Sequence, residues 1–392
     1  MIALLAAPAL AGVFEVAQQS AAAGGTGHAS TGRAVDAAAA WFCAAALADD
    51  GGLRLAVGAA LASSRITATS TDPERPFTTA SENGLGTPPH AYASFARGPA
   101  AIGVAVNTAF AGGVRWPDDG PLRFESIASA PTFFRVAPFA GVRLGAVRLA
   151  AGFHADAGSL SVEKATDHVT DEGRAHILLR GAGVGADASL FVQAGDLVGI
   201  GLSYKGRTRL PLEGEADFDV PDPFAPGLPD GAASARWRLP DRLALGVAVG
   251  DGRLRGLADA AVTVWSVNDA LRIDFADTAA GDVVQVNAWR PSLALRGGGE
   301  GDLGPVTLRA GAYVDGLPGP PGPTDTLGPS SPDGARVGGT LGAGVGLGEH
   351  VRIDVFGELL RVLERASTSA DAPAVAYRGS AAVGGLTAAL AL

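Results

Sequence analysis

The sequence of 392 residues predicts an all-β protein: a 14-stranded antiparallel transmembrane β-barrel with a small, partly helical N-terminal plug. Three observations predict it. Small or apolar residues alternate with polar ones from Leu53 to the C-terminus, and a side-chain period of two marks a strand. The connections alternate between short and long. No run of 18 residues is free of polar residues, so a chain that crosses a membrane must do so with strands.

The clearest alternation lies in Gly246–Phe275, where two alternating runs meet at the turn Gly250-Asp251-Gly252. In the second run, Asp259, Thr263 and Trp265 belong to one face. At roughly 3.3 Å per residue, a run of this length crosses a tilted bilayer span. The rest of the chain repeats the pattern in segments of similar length.

Fourteen segments are predicted as strands, an even number as single-chain bacterial barrels require. They are Leu53–Thr69, Ala91–Arg97, Ala100–Phe110, Phe124–Leu144, Val147–Glu163, Arg174–Gln193, Leu197–Gly214, Arg236–Val249, Arg253–Phe275, Val283–Arg296, Leu303–Asp315, Ala335–Leu347, Val351–Glu364 and Ala376–Leu392.

The connections give independent support for a membrane barrel. Gly98-Pro99 and Gly145-Ala146 are short, whereas Glu215–Ala235 and Gly316–Gly334 are long. Membrane barrels have short turns at the periplasmic end and longer loops outside. On each strand, the apolar set is expected to face lipid and the small or charged set the lumen, because a charge on the lipid face costs roughly 2 to 4 kcal/mol at the midplane.

The N-terminus divides into two predicted parts. Residues 1–11 end in Ala9-Leu10-Ala11 behind an apolar run, which resembles a short export signal. Residues 12–51 are rich in Ala and Gly without strand alternation, and Val35–Leu47 has high helix propensity. We expect this segment to form a plug and residues 52–392 to form the barrel.

Composition excludes several functions. A net charge of −10 argues against nucleic acid as a partner. Cys43 is the single cysteine, so neither a disulfide framework nor a cysteine metal cluster is possible. The six histidines show no metal-binding spacing, and no G-x-S-x-G motif is present. We therefore expect no enzyme activity, no catalytic residue, no metal and no cofactor.

Several motifs, in order and spacing, resemble the long-chain fatty acid transporter family of Gram-negative outer membranes, the FadL family, which includes aromatic hydrocarbon transporters. The segment from Gln18-Gln19-Ser20 through Asp36 looks like the family's hatch. The other motifs are Phe110-Ala111 with Trp116-Pro117, Val136-Ala137-Pro138, Ile200–Lys205, Leu239-Pro240-Asp241, Leu257–Phe275 and Leu308–Gly311. The chain departs from the pattern at Cys43-Ala44-Ala45, where the family carries Asn-Pro-Ala.

The resemblance implies passive transport of hydrophobic compounds such as long-chain fatty acids. It implies a monomeric outer-membrane barrel inserted by the barrel assembly machinery among outer-membrane lipid and lipopolysaccharide. The ligand would be captured in an apolar pocket and released sideways beside a kinked strand. The candidate hatch contacts are Phe14, Trp41 and Phe42, and the candidate carboxylate contacts are the cations Arg272, Lys205, Arg207 and Arg209, all expected to face inward.

Two other functions stay open from the sequence. One is a water-filled diffusion porin for small polar solutes, against which the plug-like segment and the Gly/Ala-rich lumen faces argue. The other is a barrel with a structural or surface-receptor role. For any single candidate cation, an ion pair with a neighbouring acid in the lumen is an alternative to ligand binding.

Overall fold

The computed structural model describes residues 14–49, 51–82, 84–168, 171–251, 253–276, 282–287, 289–317, 327–366 and 373–392. They form a closed antiparallel barrel, and its fourteen strands confirm the predicted fold class. The first and last strands close the cylinder by pairing from Arg54 with Ala391 to Ser70 with Val375. The predicted export signal, residues 1–11, lies outside the described residues.

The wall strands are numbered β1 to β14 along the chain, and six of them consist of more than one segment. The bounds are β1 Gly52–Ser70, β2 Thr78–Ala80, Gly84–Gly86 and Pro89–Arg97, β3 Ala100–Ala111 and Val114–Arg115, β4 Ala128–Leu144, β5 Val147–Asp167, β6 Glu172–Ala194, β7 Val198–Lys205 and Thr208–Asp219, β8 Gly231–Leu239 and Arg242–Gly250, β9 Leu254–Thr263 and Ala270–Phe275, β10 Val283–Val286 and Ser292–Leu303, β11 Val306–Leu317, β12 Arg336–Leu347, β13 Val351–Ala366 and β14 Val375–Ala391.

The two faces of the wall have opposite character. Outward positions carry exposed apolar side chains, among them Val184 at 71% and Leu359 at 72% exposure. Inward positions carry buried polar side chains such as Arg135 and Asp354. An apolar outer band around a polar interior is the arrangement of a membrane-spanning barrel.

The short turns cluster at the end of the barrel where the wall begins and ends. Gly98 and Gly145 adopt φ values of 59° and 66° there, a conformation that glycine reaches without steric cost. The long connections lie at the other end. We call these the turn end and the loop end, which by the rule for membrane barrels face the periplasm and the exterior.

Four neighbouring strands, β7 to β10, are each broken in the middle. In β7, the break at Gly206 and Arg207 shifts the side-chain phase, so that Lys205 and Thr208 both face inward. In β8, the break falls at Pro240 and Asp241, where proline has no N–H for the ladder. The breaks in β7 and β8 change which residues face the lumen in the half of the wall nearer the long connections.

The described part of the N-terminal segment, residues 14–49, packs against inward-facing side chains of the barrel and is almost wholly buried. It contains two short helices, α1 (Ala21–Gly24) and α2 (Ala39–Phe42), and a 3-10 turn at Ala44–Leu47. The extended backbone of Cys43, with φ −157° and ψ 91°, ends α2. None of the described helices is long and apolar enough to cross a membrane.

Polar contacts hold this plug against β9 to β14. The Asp259 carboxylate accepts hydrogen bonds from the backbone N–H groups of Ser30 and Thr31 at 3.0 and 2.9 Å. His28 Nε2 lies 3.0 Å from the Glu358 carboxylate. Because all of these groups are buried, each contact satisfies a polar atom that would otherwise destabilise the plug.

Candidate functional site

The hydrogen-bonded pairing between β2 and β3 stops part of the way along these strands. The ladder between these strands runs from Arg97 paired with Ala100 to His90 paired with Asn107. Beyond it, among the described residues, the next backbone hydrogen bond between these two chain segments runs from Glu82 N to Arg115 O. Pro88 and Pro89 occupy the intervening part of β2, and neither can donate a ladder hydrogen bond.

The plug takes the place of β2 along this part of β3. Val16 N donates to Ala109 O at 3.1 Å, and Ala111 N donates to Phe14 O at 2.8 Å. All five positions from Asn107 to Ala111 are buried, so this section of β3 is covered on both faces. A bulge between Thr108 and Phe110 accompanies the inward bend. The plug therefore covers an edge of β3 that its neighbouring strand leaves unpaired.

Six aromatic rings meet inside the barrel beside this section of β3. We call them the aromatic cluster: Phe14, Phe110, Phe133, Trp237, Trp265 and Trp289. The Phe14 ring centroid lies 5.7 to 6.4 Å from those of Trp237, Trp265 and Trp289. Phe110 lies 6.0 Å from Trp265, edge to face, which is a favourable geometry for aromatic pairs.

The strand breaks help to place the tryptophans in the cluster. Trp265 begins the 3-10 turn Trp265–Val267 that interrupts β9, and its side chain is fully buried. Trp289 lies in the break of β10. The indole N–H groups of Trp237 and Trp265 are buried and have no acceptor among the described residues. The cluster is thus an apolar surface that carries two available donors.

Buried cations surround the cluster, and two of them are paired. The Arg135 guanidinium makes two hydrogen bonds to Asp156, at 2.8 and 2.9 Å. Arg242 forms an ion pair with Glu15 of the plug at 2.7 Å. These cations neutralise acids of the protein itself.

Lys205 is the buried cation with a different environment. Its Nζ lies 4.4 Å from the Trp41 ring centroid, and no carboxylate of the described residues lies within 4.0 Å of it. It borders a cavity of about 20 Å³, together with Phe139, Ala44 and Asp187. Asp187 is the residue opposite Lys205 in the β6–β7 ladder, and ligand contact at Lys205 stays a prediction.

Three of the four predicted cations do not face inward. Arg272 lies on the exposed side of β9, because its neighbour Ile273 points into the core. Arg207 and Arg209 are exposed because the break in β7 shifts the side-chain phase after Lys205. Arg207 pairs with Asp241 at 2.8 Å. The expectation that Arg272, Arg207 and Arg209 face the lumen is wrong, and Lys205 alone faces inward.

The predicted plug residues are buried and in contact with the wall. Phe14 belongs to the aromatic cluster, Trp41 packs against Lys205, and Phe42 is in the same apolar core. At the altered motif, Cys43 Sγ lies 3.4 Å from Leu190 O, and Ala45 N donates to Ser189 Oγ at 2.9 Å. The Cys43-Ala44-Ala45 segment is thus attached to β6. Ligand contact at these positions stays a prediction.

Several residues of the site did not emerge from the sequence. Phe133, Trp237 and Trp289 converge only through the closure of the barrel, which the local pattern does not encode. Pro88-Pro89 offered a signal, since two prolines in a strand remove two donors. No group of three His, Cys, Asp or Glu within the described ranges is placed to hold a metal ion.

No protein-family model and no sequence among curated proteins matches the chain. Solved structures do. A Pseudomonas aeruginosa FadL homologue superposes with a TM-score of 0.85 at 18% identity, covering 97% of this chain and 99% of that chain. The Ralstonia pickettii toluene transporter TbuX gives a TM-score of 0.72 at 17% identity, covering 94% and 97%. The P. putida toluene transporter TodX gives 0.76 at 15% identity, covering 95% and 98%. Over nearly its whole length, the chain has the fold of the FadL homologue and of these toluene transporters, as the motif resemblance indicated.

Proposed function

We propose that this protein is a passive transporter of hydrophobic compounds in the outer membrane of a Gram-negative bacterium, with long-chain fatty acids as its substrates. The observation that carries the proposal is the position of the aromatic cluster, which lies directly beside the section of β3 that β2 leaves unpaired. An apolar surface inside the barrel thus adjoins an interruption of the wall.

In this proposal, the ligand enters from the loop end, moves along the aromatic cluster and leaves sideways between β2 and β3. The plug residues that pair with Ala109 and Ala111 must give way for that exit. Sideways release suits the physics, because each buried methylene is worth about 0.8 kcal/mol and would lose that stabilisation in water. The plug also obstructs a straight path through the barrel.

The carboxylate of a fatty acid has two candidate contacts. Lys205 supplies a buried ammonium, and the indole N–H groups of Trp237 and Trp265 supply donors. Hydrogen bonds to a charged group are stronger than neutral ones. This proposal assigns the headgroup to Lys205 and the chain to the aromatic cluster.

A second candidate substrate is a neutral aromatic hydrocarbon. The observation that favours it is the edge-to-face packing of the cluster, with Trp265 against Trp289 at 5.7 Å and Phe133 against Trp237 at 5.9 Å. A flat ring can replace one of these partners without needing a cation. A diffusion porin for polar solutes is less compatible with this interior, because the plug and aromatic rings occupy it.

Uptake by cells tests the proposal. Labelled long-chain fatty acid and labelled toluene are supplied separately to a Gram-negative host that lacks its own transporter, with and without this protein. A small hydrophilic dye is measured in parallel. The matched control is Phe153→Ala, which removes an aromatic ring from the outer, lipid-facing wall.

Fatty-acid uptake that rises with expression, while dye entry stays constant, supports the proposal. Uptake of toluene alone favours the second candidate. Dye entry that rises together with uptake supports the porin instead. A folded, surface-exposed protein that raises none of the three contradicts transport and leaves the structural or receptor role.

A further inference from the structure

Three arginines form a patch on the outer wall near the loop end. Arg65 of β1, Arg361 of β13 and Arg378 of β14 are all exposed. Ser380 pairs with Arg65 on one side and with Arg361 on the other. Since neighbouring strands lie about 4.8 Å apart, the two arginine Cα atoms are about 10 Å apart. Arg378 is the next outward position above Ser380, so the three guanidinium groups surround a single area, which we call the arginine patch.

The arginine patch carries excess positive charge. Arg378 lies 3.7 Å from Glu364, and both side chains are exposed. Within the described part of the chain, neither Arg65 nor Arg361 has a carboxylate within 4.0 Å. Exposed ion pairs are weak, so even Arg378 remains available to another anion.

Directly below the arginine patch, the outer wall has an apolar groove. Its floor contains the outward-facing glycines Gly339, Gly357 and Gly384, and Leu61, Leu341 and Leu359 stand around it. The groove has a volume of about 900 Å³. A Cβ atom added at Gly339 or Gly357 would meet no atom within 4 Å, which confirms that the floor is open. The leucines are among the most exposed apolar residues of the wall.

The position of the arginine patch along the strands shows which leaflet of the membrane it adjoins. Outward positions on β1 are apolar or small from Leu55 to Ser63, and Arg65 follows. Ten residues of a tilted strand span about 25 Å, the height of the apolar band of such barrels. The arginine patch therefore lies at the loop-end border of that band, beside the outer leaflet.

From this arrangement we infer that the arginine patch and the groove form a binding site for lipopolysaccharide, through its phosphorylated and acylated lipid anchor. The phosphates lie against the guanidinium groups, for which arginine geometry is well suited, and acyl chains fill the groove. Several guanidinium groups spread over about 10 Å suit an anchor with more than one phosphate better than a lipid with one. The inference rests on the membrane placement in the proposed function and is independent of the transported compound.

Native mass spectrometry of the purified full-length protein in mild detergent tests the site. The probes are the bisphosphorylated lipid anchor, the same anchor without phosphates, and phosphatidylglycerol. The first variant is Arg65→Gln/Arg361→Gln/Arg378→Gln. The second is Gly357→Leu, which fills the groove with the arginines intact. The control is Arg97→Gln/Arg180→Gln/Arg253→Gln, which removes three exposed arginines that lie on separate elements: β2, β6 and the turn before β9.

We expect wild type to bind one anchor tightly and the triple variant to bind it at least about tenfold more weakly. The reason is that each basic residue near a lipid surface adds to the free energy of binding an anionic lipid. Removing the phosphates has the same effect, as does Gly357→Leu, and the control stays within about twofold. A triple variant that binds like wild type, or a control that loses as much, overturns the inference. Equal binding of phosphatidylglycerol overturns the assignment to lipopolysaccharide. Heat-dependent gel migration reports whether each barrel is folded, and a fatty-acid uptake assay on the same variants fails separately if the transport proposal is wrong.

Discussion

Glu15 of the plug and Arg242 of β8 form a buried ion pair, with 2.7 Å between the carboxylate and the guanidinium. Thr263 Oγ1 donates to the same carboxylate at 3.0 Å. Glu15 is also the residue opposite Phe110 where the plug pairs with β3. Glu15 thus joins the plug both to β3 and to β8.

Glu15→Gln should loosen this part of the plug, because it leaves the Arg242 charge buried without its partner. Breaking one side of a buried pair costs about 3 to 5 kcal/mol. We expect faster hydrogen exchange at the amides of Val16 and Ala111, measured by mass spectrometry on the folded barrel. Those two amides are bonded across the plug and β3.

The double variant Glu15→Gln/Arg242→Met is the control for this pair. Replacing both members by neutral groups is often close to neutral in stability, so exchange should return toward the wild-type rate. Exchange in the single variant that is as slow as in wild type would show that the ion pair does not hold the segment.

Trp265→Ala should lower uptake of the transported compound by about fivefold or more. The substitution removes a ring that contacts Phe14, Phe110 and Trp289, and with it part of the apolar surface that the ligand follows in this proposal. The measurement is the initial uptake rate at equal surface expression. Phe153→Ala is the matched control, and equal losses in both variants would argue against a role for the cluster.

The strands of the barrel wall were predictable from the sequence. Because one face of each strand contacts lipid, apolar side chains recur at every second residue over long segments. The sequence predicts a strand at Leu53–Thr69, and the structure has Gly52–Ser70. The predicted start at Phe124 is four residues early, since β4 begins at Ala128 after a series of turns. Strand ends depend on the neighbouring strand, whereas the alternation belongs to the strand itself.

The outward facing of Arg207 and Arg209 was not predictable from one continuous alternation. A one-residue shift in phase moves every later side chain to the other face, and β7 makes such a shift between Lys205 and Thr208. For Arg272, the alternation that places Trp265 inside also places Ile273 inside, so the local pattern contained the answer. The aromatic cluster needed the closed barrel, because its members come from the plug and five strands.

The Cys43 thiol should resist alkylation in the folded protein. Burial in the plug raises its pKa to about 11, since desolvation disfavours the thiolate. The thiolate is the reactive form, and at pH 7.5 about one thiol in a thousand or fewer is ionised. Maleimide labelling followed by mass spectrometry should show no modification within minutes, and full modification after denaturation.

A cysteine placed in an exposed turn calibrates that experiment. Asp196→Cys adds a second thiol at the turn end, where the side chain is in solvent. It should be labelled rapidly while Cys43 in the same molecule stays unmodified. Equal labelling of both would mean that the plug opens on the timescale of the reaction.

Lys205→Met should separate the two candidate substrates. The variant keeps an apolar stem of similar length and removes the charge that lies over Trp41. If Lys205 holds a carboxylate, the apparent affinity for a long-chain fatty acid should fall about tenfold or more, because a hydrogen bond to a charged group contributes about 1.5 to 3 kcal/mol. Toluene uptake should not change, since that ligand has no headgroup.

Arg209→Met removes an outward cation from the same strand and should leave both rates unchanged. A fatty-acid affinity that is the same in Lys205→Met and wild type would remove Lys205 from the site, and the indole donors of Trp237 and Trp265 would then be the groups to substitute.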